Sequence, residues 1–200
     1  MRYDSEHKER VRERVLIEAA KAVRVEGTHG IGVASVMARA GLTHGTFYAH
    51  FASKDDLVVA TISRMADEAR GRFAVLTKGL PPLEALRAYV TFYFSAKHRD
   101  SKTEGCPLPL LANEAPKLGR VTRERFGHGV SALRSALAAQ LEALGLSDAE
   151  GVASSVVAEM VGAMALARAM ADREESAQLL ARSRAAVFAR MGIEETPSHE

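Results

Sequence analysis

The sequence predicts an all-α protein of about nine helices, a small N-terminal helical domain followed by a larger helical bundle. Two observations set the class. Apolar residues recur at intervals of three and four along most of the chain, and alternation with a period of two never persists. A third observation sets the organisation: three short helices are packed into the first 51 residues, and the helices after them are longer.

Taken in order, the first helix carries Val11, Val15, Ala19 and Val23 on one face, and the second carries Val33, Val36, Met37 and Ala40. Breaks are expected at residues 27–32, at Gly41, and at 52–53, 79–82, 100–107, 116–119, 145–147 and 171–173, where Gly, Pro and capping residues interrupt the pattern. The helix over 54–77 joins the two parts. The expected domains are residues 1–53 and 54–195, with a disordered polar tail at 196–200 that closes the run "EETPSHE".

Composition narrows the function. The formal charge of +2, from 27 Lys and Arg against 25 Asp and Glu, does not by itself announce a nucleic-acid partner. One cysteine, Cys106, excludes an intrachain disulfide, and the N-terminus "MRYDSEHKERVRER" is too charged for a secretory signal. The most apolar long segment, 152–171, is interrupted by Glu159 and Arg168 and falls short of the roughly 18 uncharged residues of a membrane helix. A soluble, cytoplasmic protein is expected. No phosphate loop and no His, Cys or carboxylate cluster with ligand spacing occurs, so neither cofactor nor metal is expected.

The stretch "GLTHGTFYAHF", residues 41–51, carries the strongest local signal. Gly41 is placed to end one helix in the left-handed region, Thr43 to cap the next, and Leu42 and Phe47 to staple its start. Two short helices joined by a three-residue turn make a helix-turn-helix. At about 100° per residue, Phe47 and Phe51 point into the core with His44 and Tyr48 beside them. Gly45, Thr46 and Ala49, flanked by His50, form a small-residue opposite face. Such a face either packs beneath another protein segment or approaches a surface such as the major groove of DNA closely.

The run "ERVLIEAAKAVRVEGTHGIGVASVMARAGLTHGTFYAHFASKDDLV" resembles the DNA-binding domain of TetR-family transcriptional regulators. The family pattern stands here as Ala19, Ala20, Gly27, Val33, Met37, Ala38, Ala40, Gly41, Leu42, Thr43, Gly45, Phe47, Tyr48, His50, Phe51, Ser53, Lys54 and Leu57. One position departs from it. Gly32 stands where members often carry Thr or Ser, which removes a hydroxyl from the start of the second helix. The resemblance implies that Tyr48, His50 and Lys54 bind phosphates, and that Thr43, His44, Gly45 and Thr46 enter the groove with His44 and Thr46 as base readers. Arg39 is either a further phosphate contact or a surface charge. With few base-reading side chains, DNA shape and half-site spacing are expected to carry much of the specificity.

The resemblance also implies a homodimer paired through its last two long helices, and hence a palindromic operator in double-stranded DNA. The stripes expected at that interface are Val152, Val156, Met160, Ala163, Ala167 and Met170, bordered by Ser155, Gly162 and Ala169, and then Leu180, Ala181, Arg184, Val187, Phe188 and Met191. The alternative is that the stripes serve the intrachain core. For the middle of the chain the resemblance implies a pocket for a small, largely apolar effector. Its candidate residues are Tyr89, Phe92, Tyr93, His98, Cys106, Asn113 and Glu114, each of which is otherwise ordinary core.

Cys106 precedes Pro107, so it is expected to cap a helix whose dipole lowers the thiol pKa, while Glu104 opposes thiolate formation. The segment "EGCPLPLLANE" resembles a subgroup of TetR-like repressors with Gly-Cys at this place, some of which sense electrophiles or oxidants. The resemblance thus implies a regulator, most often a repressor, released by its effector. The opposing reading is an enzyme that uses Cys106 as nucleophile with His98 or His128 as base, and the sequence supplies no third group to orient them.

Overall fold

The computed structural model describes residues 2–194, and the expected tail at 196–200 lies outside them. Among the described residues there are nine α-helices, two 3-10 segments and no strand. The helices are α1 (Arg2–Gly30), α2 (Val33–Arg39), α3 (Lys54–Thr77), α4 (Pro82–Tyr93), α5 (Ala96–Asp100), α6 (Leu108–Glu114), α7 (Arg120–Ala143), α8 (Ala149–Ala169) and α9 (Arg173–Arg190). The 3-10 segments are His44–Ala49 and Ala115–Lys117.

Packing gathers the chain into two compact units, one of residues 1–68 with 102–129, the other of residues 69–101 with 130–200. This is a different division from a cut at residue 53. Leu57, Val58, Ile62 and Met65 of α3 and Leu111 of α6 are buried in one core with Val15, Ala19, Val23, Val36, Met37, Phe47 and Phe51.

Local chemistry explains most boundaries in the first unit. Gly41 adopts φ +71°, and Leu42 N donates to Met37 O at 2.9 Å, which closes α2 with the expected left-handed cap. Gly27 breaks the helical conformation (φ 75°, ψ 177°) within the expected break at 27–32, and a short helical turn follows it to Gly30. The Glu114 carboxylate of α6 accepts from Thr28 N at 2.8 Å and from Thr28 Oγ1 at 2.7 Å, so the amide freed by the kink is satisfied. Arg24 fastens the same stretch, donating to Gly105 O at 2.9 Å and to Glu68 Oε2 at 2.6 Å.

In the second unit α8 and α9 pack as a helical hairpin, with Ala153, Val156, Met160, Ala163, Met164, Ala167, Leu180, Val187 and Phe188 buried. Asp148 caps α8 by accepting from Gly151 N, and Asp172 caps α9 by accepting from Glu174 N and Glu175 N. By length and mean hydropathy of 1.4, α8 would suffice to cross a membrane. Here its apolar face is core.

The sequence pattern over 81–100 reads as one helix, and the structure splits it at Phe94–Ser95. Ser95 Oγ donates to Phe92 O at 2.7 Å and accepts from His98 N at 3.1 Å, local bonds that compete with the helical ladder. The buried Arg99 then joins α5 to α9 through Ser176 Oγ at 3.0 Å, and Ser176 Oγ donates to Ala167 O at 2.7 Å.

Candidate nucleic-acid interface

The segment after the Gly41 turn is a six-residue 3-10 helix rather than a turn and a half of α-helix. Its tighter winding is stabilised locally. Thr46 N donates to Thr43 O at 3.1 Å, and Thr46 Oγ1 donates to the same carbonyl at 2.8 Å. Thr43 occupies the N-cap in extended conformation, but its hydroxyl makes no capping bond, which corrects the expected role of that side chain. Thr46 has spent its hydroxyl hydrogen internally, so outward it offers lone pairs and a methyl group. It can accept from a base or touch a thymine methyl.

The faces divide as the apolar pattern requires. Phe47 and Phe51 are buried with their rings 5.6 Å apart, and Leu42 packs against the same core. Thr43, His44, Gly45, Thr46, Tyr48 and Ala49 are exposed. A Cβ built at Gly45 meets nothing within 4 Å, so no described part of this chain packs over that face. Tyr48 is 71% exposed, and its ring stands edge-on to Phe47 at 5.2 Å. The buried Phe47 thereby holds a large aromatic at the surface, the posture of a side chain with an external partner.

Three of the predicted contacts have partners within the fold. Lys54 Nζ reaches His29 O at 3.3 Å and remains exposed. Arg39 donates to Glu26 Oε1 at 3.2 Å and to Ser35 Oγ at 3.1 Å, so a phosphate would have to displace an exposed ion pair of small worth. His50 is half-buried, and its carbonyl accepts from Arg12 Nη1 at 3.2 Å. Burial, followed by the charges of Lys8, Arg12 and His7, lowers the His50 pKa. The sequence reading missed Lys8 and Arg12, whose spacing of four along α1 was the available signal.

The predicted effector residues are divided between the two units. In the second, Tyr89, Phe92, Tyr93 and His98 form one aromatic cluster together with Phe73. The Phe73–Tyr89, Phe92–His98 and Tyr93–His98 ring centres are 4.8, 5.0 and 4.7 Å apart. In the first, Asn113 is exposed and Glu114 is held by Thr28, which removes both from the expected pocket. Cys106 is half-buried, and Pro107 rather than Cys106 occupies the N-cap of α6. A groove of about 570 Å³ in the first unit is lined by charged residues including Arg12, Glu13, Asp56, Arg64, Asp67 and Glu68. That lining does not suit an apolar ligand.

His98 is 3% exposed, and its Nδ1 lies 2.7 Å from Tyr93 O. Burial pushes its pKa down to about 4, against the Tyr93 carbonyl and with help from Arg168 and Arg72. The folded chain therefore binds this proton less readily than the unfolded chain. The stabilisation from a neutral His98 is complete above about pH 6.5 and is lost as pH falls toward about 4, by a magnitude of about 3 kcal/mol. Chemical denaturation at both ends of that window should show a larger loss for wild type than for His98→Phe. Equal losses would remove His98 as the source.

The expected pairing stripes also require correction. Val156, Met160, Ala163, Ala167, Leu180, Val187 and Phe188 are buried within the single chain, so they form the α8–α9 core, and Val152 and Arg184 are half-buried. Among the residues left outward on α8, Ser155, Ala158, Gly162, Leu166 and Ala169 fall at intervals of three and four, and Ala181 is among those exposed on α9. Leu166 is 60% exposed.

Comparison with known proteins agrees with this arrangement. A family model described as bacterial regulatory proteins, tetR family, matches residues 16–61, and one described as transcriptional regulator LmrA/YxaF-like, C-terminal domain, matches residues 82–181. No curated protein matches the chain. Among solved structures, a TetR transcriptional regulator from Chloroflexus aurantiacus J-10-FL is 27% identical, with 94% of this chain and 96% of that one covered and a TM-score of 0.79. A TetR-family regulator from Agrobacterium tumefaciens is 28% identical over 91% of this chain and 98% of its own, with a TM-score of 0.77. The reduced form of E. coli NemR, at 21% identity, 90% and 96% coverage and a TM-score of 0.78, shares the fold.

Proposed function

The chain belongs to the TetR family of DNA-binding transcriptional regulators, and we propose that it is a cytoplasmic homodimeric repressor released from a palindromic operator by a small, largely apolar effector. The observation that carries the DNA reading is the open face of residues 43–49, where Gly45 meets nothing and Tyr48 stands outward beside it. Residues 1–53 then read DNA, and 54–195 bind effector and partner. Tyr48, Lys54 and the His50 ring contact phosphates, while His44 and Thr46 contact base edges. The outward seam of α8 around Gly162, with Ala181 of α9, is the pairing surface, and the two-fold axis it generates makes the operator palindromic.

The effector site is assigned to the cluster of Tyr89, Phe92, Tyr93 and His98, whose imidazole is neutral at neutral pH, with the Arg72 guanidinium 5.5 Å from the Phe92 ring centre. Effector binding would favour the arrangement of the two subunits that fits DNA less well. Regulators of this family are generally not enzymes, and His98 is committed to Tyr93 O and to stacking on Phe92 rather than to a thiol.

The test uses Gly45. Its φ is not positive, and its Cβ position is open, so Gly45→Ala should stabilise the fold by up to about 1 kcal/mol through the unfolded chain. The same methyl should lower affinity in a mobility-shift assay with duplex from beside the gene, with release of the wild type sought across a panel of apolar compounds. Gly45→Ala with intact binding and lower stability would place that face away from DNA.

A further inference from the structure

The basic residues that open α1 lie before the matched helix-turn-helix region and have no part in the reading above. We propose that Lys8 and Arg12, together with His50, form a second binding site for the phosphodiester backbone of duplex DNA, one that extends each subunit's contact from the helix-turn-helix onto α1. The inference rests on the DNA-binding reading and deepens it.

Geometry brings the three residues together. Arg12 Nη1 donates to His50 O at 3.2 Å, and its guanidinium lies 4.4 Å from the centre of the Phe51 ring. That contact docks α1 on the chain just after the recognition segment. Lys8 is exposed and sits one turn before Arg12, on the same face of the helix.

Charge distinguishes this place from the ion-paired cations of the unit. Lys21, Arg24, Arg39 and Arg64 are each paired with a carboxylate, from Glu18, Glu68, Glu26 and Glu13 respectively. Among the described residues Lys8 and Arg12 enter no such pair, and the charges acting on His50 are those of Lys8, Arg12 and His7, all of one sign. A group of like charges acting on His50, beside the surface proposed to meet DNA, is placed to replace the counterions of a phosphate.

His50 contributes differently. Its Nδ1 is buried and has no hydrogen-bond partner among the described residues. An N–H there would be desolvated and unsatisfied, so the neutral ring keeps its hydrogen on Nε2. His50 thus serves as a neutral donor on its Nε2 side, while Lys8 and Arg12 bring the charge. Arg12 retains guanidinium donors beyond the one held by the His50 carbonyl.

The experiment measures binding of the full-length protein to a short fluorescent duplex of mixed sequence by anisotropy, across a salt series. Lys8→Gln and Lys8→Glu are the variants, because Lys8 is exposed and outside the core, and Lys54→Ala is the comparison. Lys8→Gln should weaken binding about fivefold or more at about 0.1 M salt and reduce the slope of log K against log salt by about one per subunit. Lys8→Glu should weaken it further. Wild-type affinity and slope in both Lys8 variants, with Lys54→Ala weakened, would overturn the second site and leave the helix-turn-helix reading intact. A wild-type protein that binds no duplex would overturn both.

Discussion

Gly162→Arg is expected to yield monomers in analytical ultracentrifugation and to abolish tight operator binding without unfolding the chain. A Cβ at Gly162 meets nothing within 4 Å in the single chain, so the substitution leaves the α8–α9 core untouched. Its whole effect would fall on whatever packs against the outward seam of Ser155, Ala158, Gly162, Leu166 and Ala169. Small residues at that spacing let two helices approach closely, and a long cation near the two-fold axis both separates the helices and repels its own copy. Two linked recognition segments bind two half-sites with an effective concentration that a monomer lacks, so operator affinity should fall by about 100-fold or more. Dimers with full affinity would locate the pairing surface elsewhere. Val156→Ala, in contrast, should lower stability before it alters pairing, since Val156 is fully buried within the chain.

Gly27→Ala is expected to be among the most destabilising single methyl additions in this protein. At φ 75° and ψ 177° the backbone occupies a region that essentially only glycine adopts, at a cost of about 1–3 kcal/mol for any other residue. The added Cβ would also overlap Glu114 Oε1. Glu114 would have to withdraw, and the buried Thr28 would lose both hydrogen bonds to that carboxylate. A buried amide left unpaired adds about 1–3 kcal/mol, for a total of about 2–6 kcal/mol by chemical denaturation. The Thr28–Glu114 bonds are lost in either single variant while the backbone strain belongs to Gly27 alone, so a double-mutant cycle should be non-additive, Glu114→Ala adding little once Gly27→Ala has displaced the carboxylate. Additive losses, or a Gly27→Ala variant as stable as wild type, would show that the kink and the clasp are independent of each other.

Much of the architecture could be read from local pattern. Gly41, Leu42, Phe47 and Phe51 are placed by turn chemistry and by apolar spacing, which depend on near neighbours, and they stand where the pattern puts them. Most of the stripe expected for pairing on α8 is buried within the single chain. Periodicity identifies an apolar face but not its partner, and Val156, Met160 and Ala163 meet the same chain's core. Thr43 makes no side-chain cap, and the Thr46 hydroxyl instead donates back to the Thr43 carbonyl across the 3-10 turn.

The sequence by itself determined the all-α class, the helix-turn-helix and its exposed small-residue face, because each follows from residues within a turn or two of one another. Tertiary structure alone decided the rest. It satisfied the amide freed at the Gly27 break by bringing the carboxylate of Glu114 to Thr28 N, and it set Arg12 against His50. It also committed His98 to a buried aromatic cluster. Each of these depends on which distant groups the packed core brings within hydrogen-bonding or ring-contact distance, and no local periodicity encodes that distance.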